Sequence, residues 1–434
     1  GYALWEGIQG YMDPLFKKHK VENAYFPLFI PEKLLNLEKE HVHGFAPHMA
    51  VVTIAGGEEL KERLVVRPTS ETIMYEMYKQ WTQSYRDLPI LINQWNNVVR
   101  WEKRTYLFLR TSEFLWQEGH CAHATHEESL AMVHWALDTY IDTYQNFMSL
   151  YGIAGVKSES EKFAGAKQTF TYEMLMPDGK ALQGCTSHDL GQNFAKVFKM
   201  IFLGKSGKEE IPWQTSWGLS TRSIGALIMV HGDDHGLVLP PKLASIQVVL
   251  IPIYSQKVNS KILKATLIKL QKNLGNFQTY IDDSDDQSVG WKFNDWELKG
   301  TPLRLEVGAE ELKTKKIKLV RRDTGEKLYI SLKSLKKVVA QTLNDIQKNL
   351  FKKSRAFLKA NTRDAISYID FKKIMETKRG FIRAFWCENS VCEKAIKDET
   401  KASTRCLPLD AKEEKGKCIY CGKKAIHRWI FALA

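Results

Sequence analysis

No apolar run in this 434-residue chain approaches the roughly 18–20 residues that a membrane span needs. The longest such tract, Ile246 to Tyr254, is strand-sized. No signal peptide, internal repeat or low-complexity stretch is visible. The seven cysteines are too few and too clustered for a disulfide framework. These absences exclude membrane-spanning, collagen-like, disordered and disulfide-stapled classes. An initiating Met is missing too: the chain starts at Gly1 in the middle of what reads as a helix, Tyr2 to Lys18, so further residues are expected before it. What is present is a composition with ample material for a core, 44% hydrophobic and 26% charged. At about 150 residues per domain it allows two to four domains. The charge is distinctive. Lys and Arg number 63 against 50 Asp and Glu, a formal +13, which suits a polyanionic partner and says nothing about fold.

Three regions differ in texture. Residues 1–240 are rich in Trp, Phe, His and Gly. Within them Glu128 to Leu150 has apolar positions Val133, Leu137, Ile141, Tyr144 and Met148 at helical spacing, with Thr125 and Glu128 placed for a capping box. Pro240-Pro241 marks a boundary. From 241 to 353, strand-like runs (Ile246 to Ile253, Phe277 to Ile281, Leu303 to Val307, Lys316 to Val320, Leu328 to Ile330) alternate with helical patterns, which predicts an α/β domain. From 354 to 434 the texture changes again. Here Cys387-x4-Cys392 and Cys418-x2-Cys421 form two close pairs, the spacing of a structural four-cysteine zinc site. Cys406 does not fit that pattern and reads as a free thiol.

Several clusters carry chemistry. Arg100-Trp101-Glu102 ends a strand-like run; by itself such a pair is usually a surface ion pair, but Arg is permanently charged and can fork onto a phosphate. It stands in company: Arg67-Pro68-Thr69-Ser70-Glu71-Thr72 upstream, Arg110-Thr111 and Phe114-Leu115-Trp116-Gln117-Glu118-Gly119-His120 downstream, then Gln183-Gly184-Cys185-Thr186-Ser187-His188 and Ser216 to Arg222. Three histidine groupings could imitate metal sites: His120, His123 and His126 stepping by three; His41, His43 and His48; and His231-Gly-Asp-Asp-His235.

In this order the segments resemble class II prolyl-tRNA synthetases of the archaeal/eukaryotic type, over essentially the whole chain. Met12 to Pro31 resembles motif 1, Val98 to His120 motif 2, and the segment around Arg222 motif 3. The resemblance implies an α/β (α+β) protein. Its parts would be an antiparallel-sheet catalytic domain over 1–240, an anticodon-binding α/β domain over 241–353, and a small zinc-binding α+β domain over 354–434. It implies activation of L-proline by ATP with Mg2+, transfer to tRNA(Pro), a homodimer through motif 1, a cytoplasmic location and no membrane contact.

By the same resemblance, Arg100 and Arg222 are catalytic. Glu102, Arg110, Thr111, Phe114, Gln183, Thr186, Ser220 and Thr221 join them around ATP, with Gln183 also near magnesium. Thr69, Glu71, Glu118, Phe114, Trp116, His120, Ser187 and His188 join Arg100 around proline. Cys387, Cys392, Cys418 and Cys421 hold zinc. Glu306, Arg321, Arg322 and the Trp291–Trp296 segment are candidates for reading tRNA, and the tract Lys313 to Arg322 for neutralising its phosphates. None of the three histidine groupings is expected to bind a metal; only His120 is expected to serve, as a pocket residue. The stretch between Arg110 and Arg222 leaves no room for a domain-sized editing insertion. The competing reading is a synthetase-like RNA-binding paralogue without aminoacylation, which predicts lost motif arginines or carboxylates; all are present.

Overall fold

The computed structural model describes residues 1–36, 49–256 and 259–434, so the His41, His43 and His48 grouping lies outside the described residues. The chain divides into two compact units. One comprises Met12–Asp142, Gly152–Ala226 and Leu358–Ala434; the other comprises Gly1–Tyr11, Thr143–Tyr151 and Leu227–Phe357. The C-terminal region set apart by its texture therefore shares a unit with most of the first region.

Among the described residues, the first unit is organised by eleven strands in a single sheet. In chain order they are β1 (Glu22–Asn23), β2 (Ile90–Val99), β3 (Glu113–His123), β4 (Ile153–Val156), β5 (Gln168–Leu175), β6 (Ala181–Gly191), β7 (Trp213–Ser220), β8 (Thr362–Asp364), β9 (Phe381–Phe385), β10 (Ser403–Pro408) and β11 (Arg428–Ala432). Their spatial order is β1-β2-β3-β7-β6-β5-β4-β10-β11-β9-β8. Pairing is antiparallel except at the two ends, β1 with β2 and β8 with β9. The C-terminal strands extend the sheet directly, through Leu407 of β10 opposite Val156 of β4.

One face of the sheet is covered by the helix His126–Asp142. Its start matches the expected capping box: Thr125 Oγ1 accepts from the Glu128 amide at 3.3 Å, and Glu128 Oε2 accepts from the Thr125 amide at 3.4 Å. Its end differs from the expectation. The helix stops at Asp142, a π-type turn follows over Thr143–Phe147, and Ser149 takes a left-handed φ of 56°, which no continuing helix accommodates.

The second unit is a mixed sheet with strand order Thr279–Ile281, Val248–Pro252, Leu303–Val307, Lys316–Arg321, Lys327–Ser331, the first three parallel and the last two antiparallel. Each lies within a residue or two of the sequence expectation. Leu263, Leu267 and Leu270 of the helix Ser260–Asn273 pack on Val248, Leu250, Leu303 and Leu305, and Trp296 packs on Val249 and Ile251 of the opposite face. Alternation along Val248–Ile251 thus feeds two layers, which is why that strand is apolar throughout.

A buried ion cluster joins β5 to its neighbours. Glu173 lies 2.6 Å from Lys157 Nζ and accepts from Arg405 at 2.8 and 3.0 Å, with all three side chains nearly inaccessible. Burial pushes the Glu173 carboxyl up, but the two cations more than offset this and hold it at about 2. A carboxylate depressed in the fold stabilises it at pH above its unfolded value, and that contribution is lost as pH falls from about 4.5 through 2. Glu173→Gln leaves two cations buried without their counter-charge. Urea titration at pH 7 should show a loss of about 3–5 kcal/mol, and acid unfolding between pH 4.5 and 2 should flatten. An unchanged midpoint would reject the cluster as a structural tie.

Candidate active site

Strands β2, β3, β7, β6 and β5 are in register, so side chains two apart line up in rows across the same face. One row runs Ile92, His120, Ser216, His188, Thr169; the next Gln94, Glu118, Gly218, Thr186, Thr171; a third Asn96, Trp116, Ser220. Above these rows is a cavity of about 270 Å³, walled also by Thr69, Glu71, Arg100, Phe114, Glu161, Phe163, Gln183 and Arg222. The intervening residues face the other way, onto the helix His126–Asp142: Tyr140 donates to Gln117 at 2.5 Å, and the rings of Trp217 and Trp135 meet edge-on at 5.9 Å.

The floor holds a charged network. Glu118 Oε1 accepts from Ser70 at 2.5 Å, Gln94 at 2.9 Å and Asn96 at 2.7 Å, and Oε2 lies 3.0 Å from His120 Nε2. Burial alone raises the Glu118 carboxyl, but these contacts, His120 first, hold it below its ordinary value. Burial lowers His120, and the Glu118 hydrogen bond with the charge of Glu71 returns it above 6.5. Thr69 hydrogen-bonds the Glu71 carboxylate. The helix Glu71–Trp81 supplies Tyr75 and Tyr78, whose hydroxyls reach His120 Nδ1 at 3.3 Å and its carbonyl at 2.9 Å.

Arg100 sits at the mouth. Its Nε donates to the Pro68 carbonyl at 3.0 Å, and its guanidinium lies 5.3 Å over Trp116 and 5.6 Å over Phe114. Burial lowers its pKa to about 10, which Glu71 opposes and the facing charge of Arg222 reinforces. Arg222, first residue of the helix Arg222–His231, donates Nε to the Leu109 carbonyl at 3.2 Å. Two arginines repelling each other across one cavity make a site for an anion. Among the described residues, the buried Trp116 Nε1 and Ser216 Oγ have no protein partner, so donors remain for a ligand.

A second constellation forms from the C-terminal cysteines. The sulfurs of Cys387, Cys392, Cys418 and Cys421 lie within 4.8 Å of one another. Cys387 stands 3.7 Å from both Cys392 and Cys421. A tetrahedral metal with sulfur bonds of ~2.3 Å sets its sulfurs about 3.8 Å apart, so the four thiols fit such an ion. The local chain makes this possible: Gly422, with φ of 72°, lets the Cys418–Cys421 turn close, and the Cys418 amide donates to Lys423 at 2.7 Å. The remaining thiols, Cys121, Cys185 and Cys406, are buried, which pushes each pKa up and makes none a nucleophile.

Comparison with known proteins agrees with this arrangement. The tRNA synthetase class II core domain (G, H, P, S and T) matches residues 52–231. The anticodon binding domain matches 247–342, and the C-terminal domain of prolyl-tRNA synthetase matches 368–434. A proline–tRNA ligase of Natranaerobius thermophilus is 50% identical over 97% of this chain and 87% of its own. Those of Alkaliphilus oremlandii and Prosthecochloris aestuarii are 49% and 51% identical over the full chain and 90% and 92% of theirs. The chain belongs to the proline–tRNA ligase family.

Most residues expected of a proline–tRNA ligase converge on the cavity: Thr69, Glu71, Arg100, Phe114, Trp116, Glu118, His120, Gln183, Thr186, His188, Ser220 and Arg222 all line it. Ser187 does not. Alternation turns it to the opposite face, where it donates to the Val133 carbonyl at 2.8 Å. Thr221 gives its backbone amide to Leu115 and is buried beside the wall. Glu102 and Arg110 pair with each other at 3.1 Å, and Thr111 donates to the Glu113 carbonyl, so these three stand in the β2–β3 connection outside the lining. The cavity also includes Glu161, Phe163, Thr169, Ser216 and Gly218, which sequence reasoning missed. Alternating small residues at Ser216, Gly218 and Ser220 were a readable signal of an open strand face; the loop bearing Glu161 and Phe163 offered none.

Two of the three histidine groupings fall within the described residues. His120 and His123 lie on β3 rather than a helix, and His231 meets the Met148 carbonyl at 3.1 Å. Asp233 is forked by Arg322 at 2.6 and 2.8 Å. That fork bears on the expected tRNA contacts. Arg322 is committed to Asp233, Arg321 to Asp323 at 2.9 and 3.0 Å, and Glu306 is buried between Arg304 and Lys318. All three are bound within the second unit. Trp296 is buried on Asp282, whereas Trp291 is exposed.

Directly beneath the floor, Gly119 of β3 is opposite Trp217 of β7, and a Cβ there would overlap the indole ring. Gly119→Ala should destabilise the protein by about 1–3 kcal/mol through forced repacking. Equilibrium denaturation checks this, and an unaltered midpoint would show that the indole moves freely.

Proposed function

We propose that this proline–tRNA ligase activates L-proline within the β2–β3–β7–β6–β5 cavity, and that the opposed arginines, Arg100 and Arg222, are the observation that carries the reading. A carboxylate oxygen of proline attacks the α-phosphorus of ATP, and pyrophosphate leaves. The terminal ribose hydroxyl of tRNA(Pro) then attacks the prolyl carbonyl and AMP departs. No side-chain nucleophile is needed; alignment and charge stabilisation supply the rate. Arg100 holds the α-phosphate and the proline carboxylate, and Arg222 lies under the adenine and reaches the γ-phosphate. Gln183, Thr186, Ser220 and Thr221 flank the phosphates, while Glu102, Arg110 and Thr111 close the adenine side from the β2–β3 connection. Mg2+ bound to ATP takes most of its ligands from phosphate and water, so one amide oxygen, that of Gln183, suffices from the cavity wall.

Proline's secondary ammonium meets Thr69 and Glu71. Glu118 already accepts four contacts, so it fixes His120 and Ser70 in place. Phe114, Trp116, His120 and His188 wall the ring, with Ser187 supporting from behind the sheet.

The four-cysteine cluster is read as a structural zinc site, supported by sulfur spacings that match thiolate–zinc geometry. Regions 1–240, 241–353 and 354–434 are read as the catalytic, anticodon-binding and zinc-binding domains. On the second, Arg321 and Arg322 flank the surface on which tRNA lies, with Glu306 buried beneath to fix Arg304 and Lys318, and exposed Trp291 is available for stacking. Dimerisation through Met12 to Pro31 is supported by exposed Tyr25 and Phe29. The archaeal/eukaryotic arrangement, without an editing insertion, is supported by strands β3 to β7 filling the stretch from Arg110 to Arg222. Since the relatives named are bacteria, that label describes architecture and not source. No described helix is long and apolar enough to cross a membrane, in keeping with a cytoplasmic enzyme.

Proline-dependent ATP–pyrophosphate exchange tests the activity. Arg100→Ala should lower kcat/KM by about 10²–10³, the scale of one preorganised electrostatic contact. Near-wild-type exchange by the variant would refute its role, and absence of exchange in the unmodified enzyme would favour an RNA-binding paralogue. For the metal, mass-spectrometric zinc analysis should find one equivalent in the wild type and little in Cys418→Ser, with local unfolding; full occupancy in the variant would reject that ligand.

A further inference from the structure

The loop between β4 and β5 lends Glu161 and Phe163 to the cavity. Phe163 lies 4.6 Å from the ring of His188, its amide donates to Thr169 Oγ1 at 3.0 Å, and Thr169 in turn meets His188 Nδ1 at 2.9 Å. No strand register fixes this loop. Its root, Ser158, is buried, and the hydroxyls of Ser158 and Ser160 donate to the two carboxylate oxygens of Glu393 at 2.7 and 2.5 Å. Glu393 is itself buried in the first turn of the helix Ser390–Thr400, with Thr404 as a further donor to the same carboxylate. One turn on, Lys397 pairs with Glu161 at 2.9 Å. A buried carboxylate that takes both its root hydroxyls fixes the loop strongly, whereas the exposed Lys397 pair contributes little.

We propose that Glu393 is a positioning residue for the amino-acid pocket: from the C-terminal helix it clamps Ser158 and Ser160, and thereby holds Phe163 over His188. The consequence is specific to one substrate. Phe163 and His188 lie on the side assigned to proline, while the arginines and the β2–β3 connection that serve ATP are anchored elsewhere. This inference rests on the reading of the cavity as a prolyl-adenylate site.

The test compares steady-state pyrophosphate exchange by the full-length enzyme and by Ser158→Ala/Ser160→Ala, Glu393→Ala and Glu393→Gln, with zinc content and Tm measured alongside. Loss of a charge-assisted clamp is worth about tenfold in binding. The double serine variant and Glu393→Ala should therefore raise KM for proline about tenfold, leaving KM for ATP and kcat nearly unchanged. Glu393→Gln should restore most of the affinity, because a serine hydroxyl accepts as readily as it donates. The serine variant should keep its zinc and stay folded, with a Tm lowered because a buried carboxylate loses two donors, and it decides the matter if Glu393→Ala does not fold. An unchanged proline KM in the serine variant would overturn the proposal, as would proline and ATP constants rising together. Absence of proline-dependent exchange in the unmodified enzyme would instead refute the cavity's assignment, and the clamp would fall with it.

Discussion

The register of five neighbouring strands is the constraint on which the site depends. Side chains alternate with period two, so a slip of one residue would exchange His120, Glu118 and Trp116 for Gln117, Gly119 and Cys121 on the working face. Two features pin the register. Gly119 admits the Trp217 indole only when it lies opposite that residue. The Glu118 carboxylate is satisfied only when Gln94 of β2 lies opposite it, with Asn96 two residues on. A wrong pairing would bury an unmatched charge, far costlier than a poorly packed side chain. The same carboxylate then orients His120 and Ser70, so the polar floor and the strand pairing are one interaction seen from two sides.

Around that floor the sign of the charge is arranged by depth. The carboxylates lie deep, the arginines at the mouth. On the proposed reading, the cationic end of the amino acid points inward and its carboxylate outward toward the phosphates. Keeping Arg100 over Phe114 and Trp116 stabilises its charge on two ring faces.

Much of this was legible in the sequence, for identifiable reasons. The α/β unit could be read because each strand's apolar run and each turn is local, as at Leu303–Val307. The motif residues could be read because arginine, carboxylate and aromatic types stand close together along the chain. The limits have physical causes as well. Ser187 was assigned to the pocket because neighbours in a motif need not share a face of a strand. Arg322 looked available because Asp233 is 89 positions away, and Glu306 because Lys318 lies on the adjacent strand; the Arg321 partner, Asp323, is only two residues on and could have been read. The loop carrying Phe163 has no periodicity to read, since its position comes from tertiary contacts. That the C-terminal strands continue the first region's sheet was hidden by the change of composition near residue 354.

That continuity has a bearing on how the molecule is made. Ser158 and Glu393 are 235 positions apart. At ~5–20 residues per second, a ribosome needs roughly 10–50 s to deliver the second after the first. Throughout that interval β4 has one unpaired edge, and the loop beside it lacks its Glu393 contacts. A chain abandoned before β10 emerges is therefore more than a shortened enzyme. It presents a raw strand to its neighbours and a cavity loop without its clamp, and both faults disappear together when β10 and the helix before it arrive.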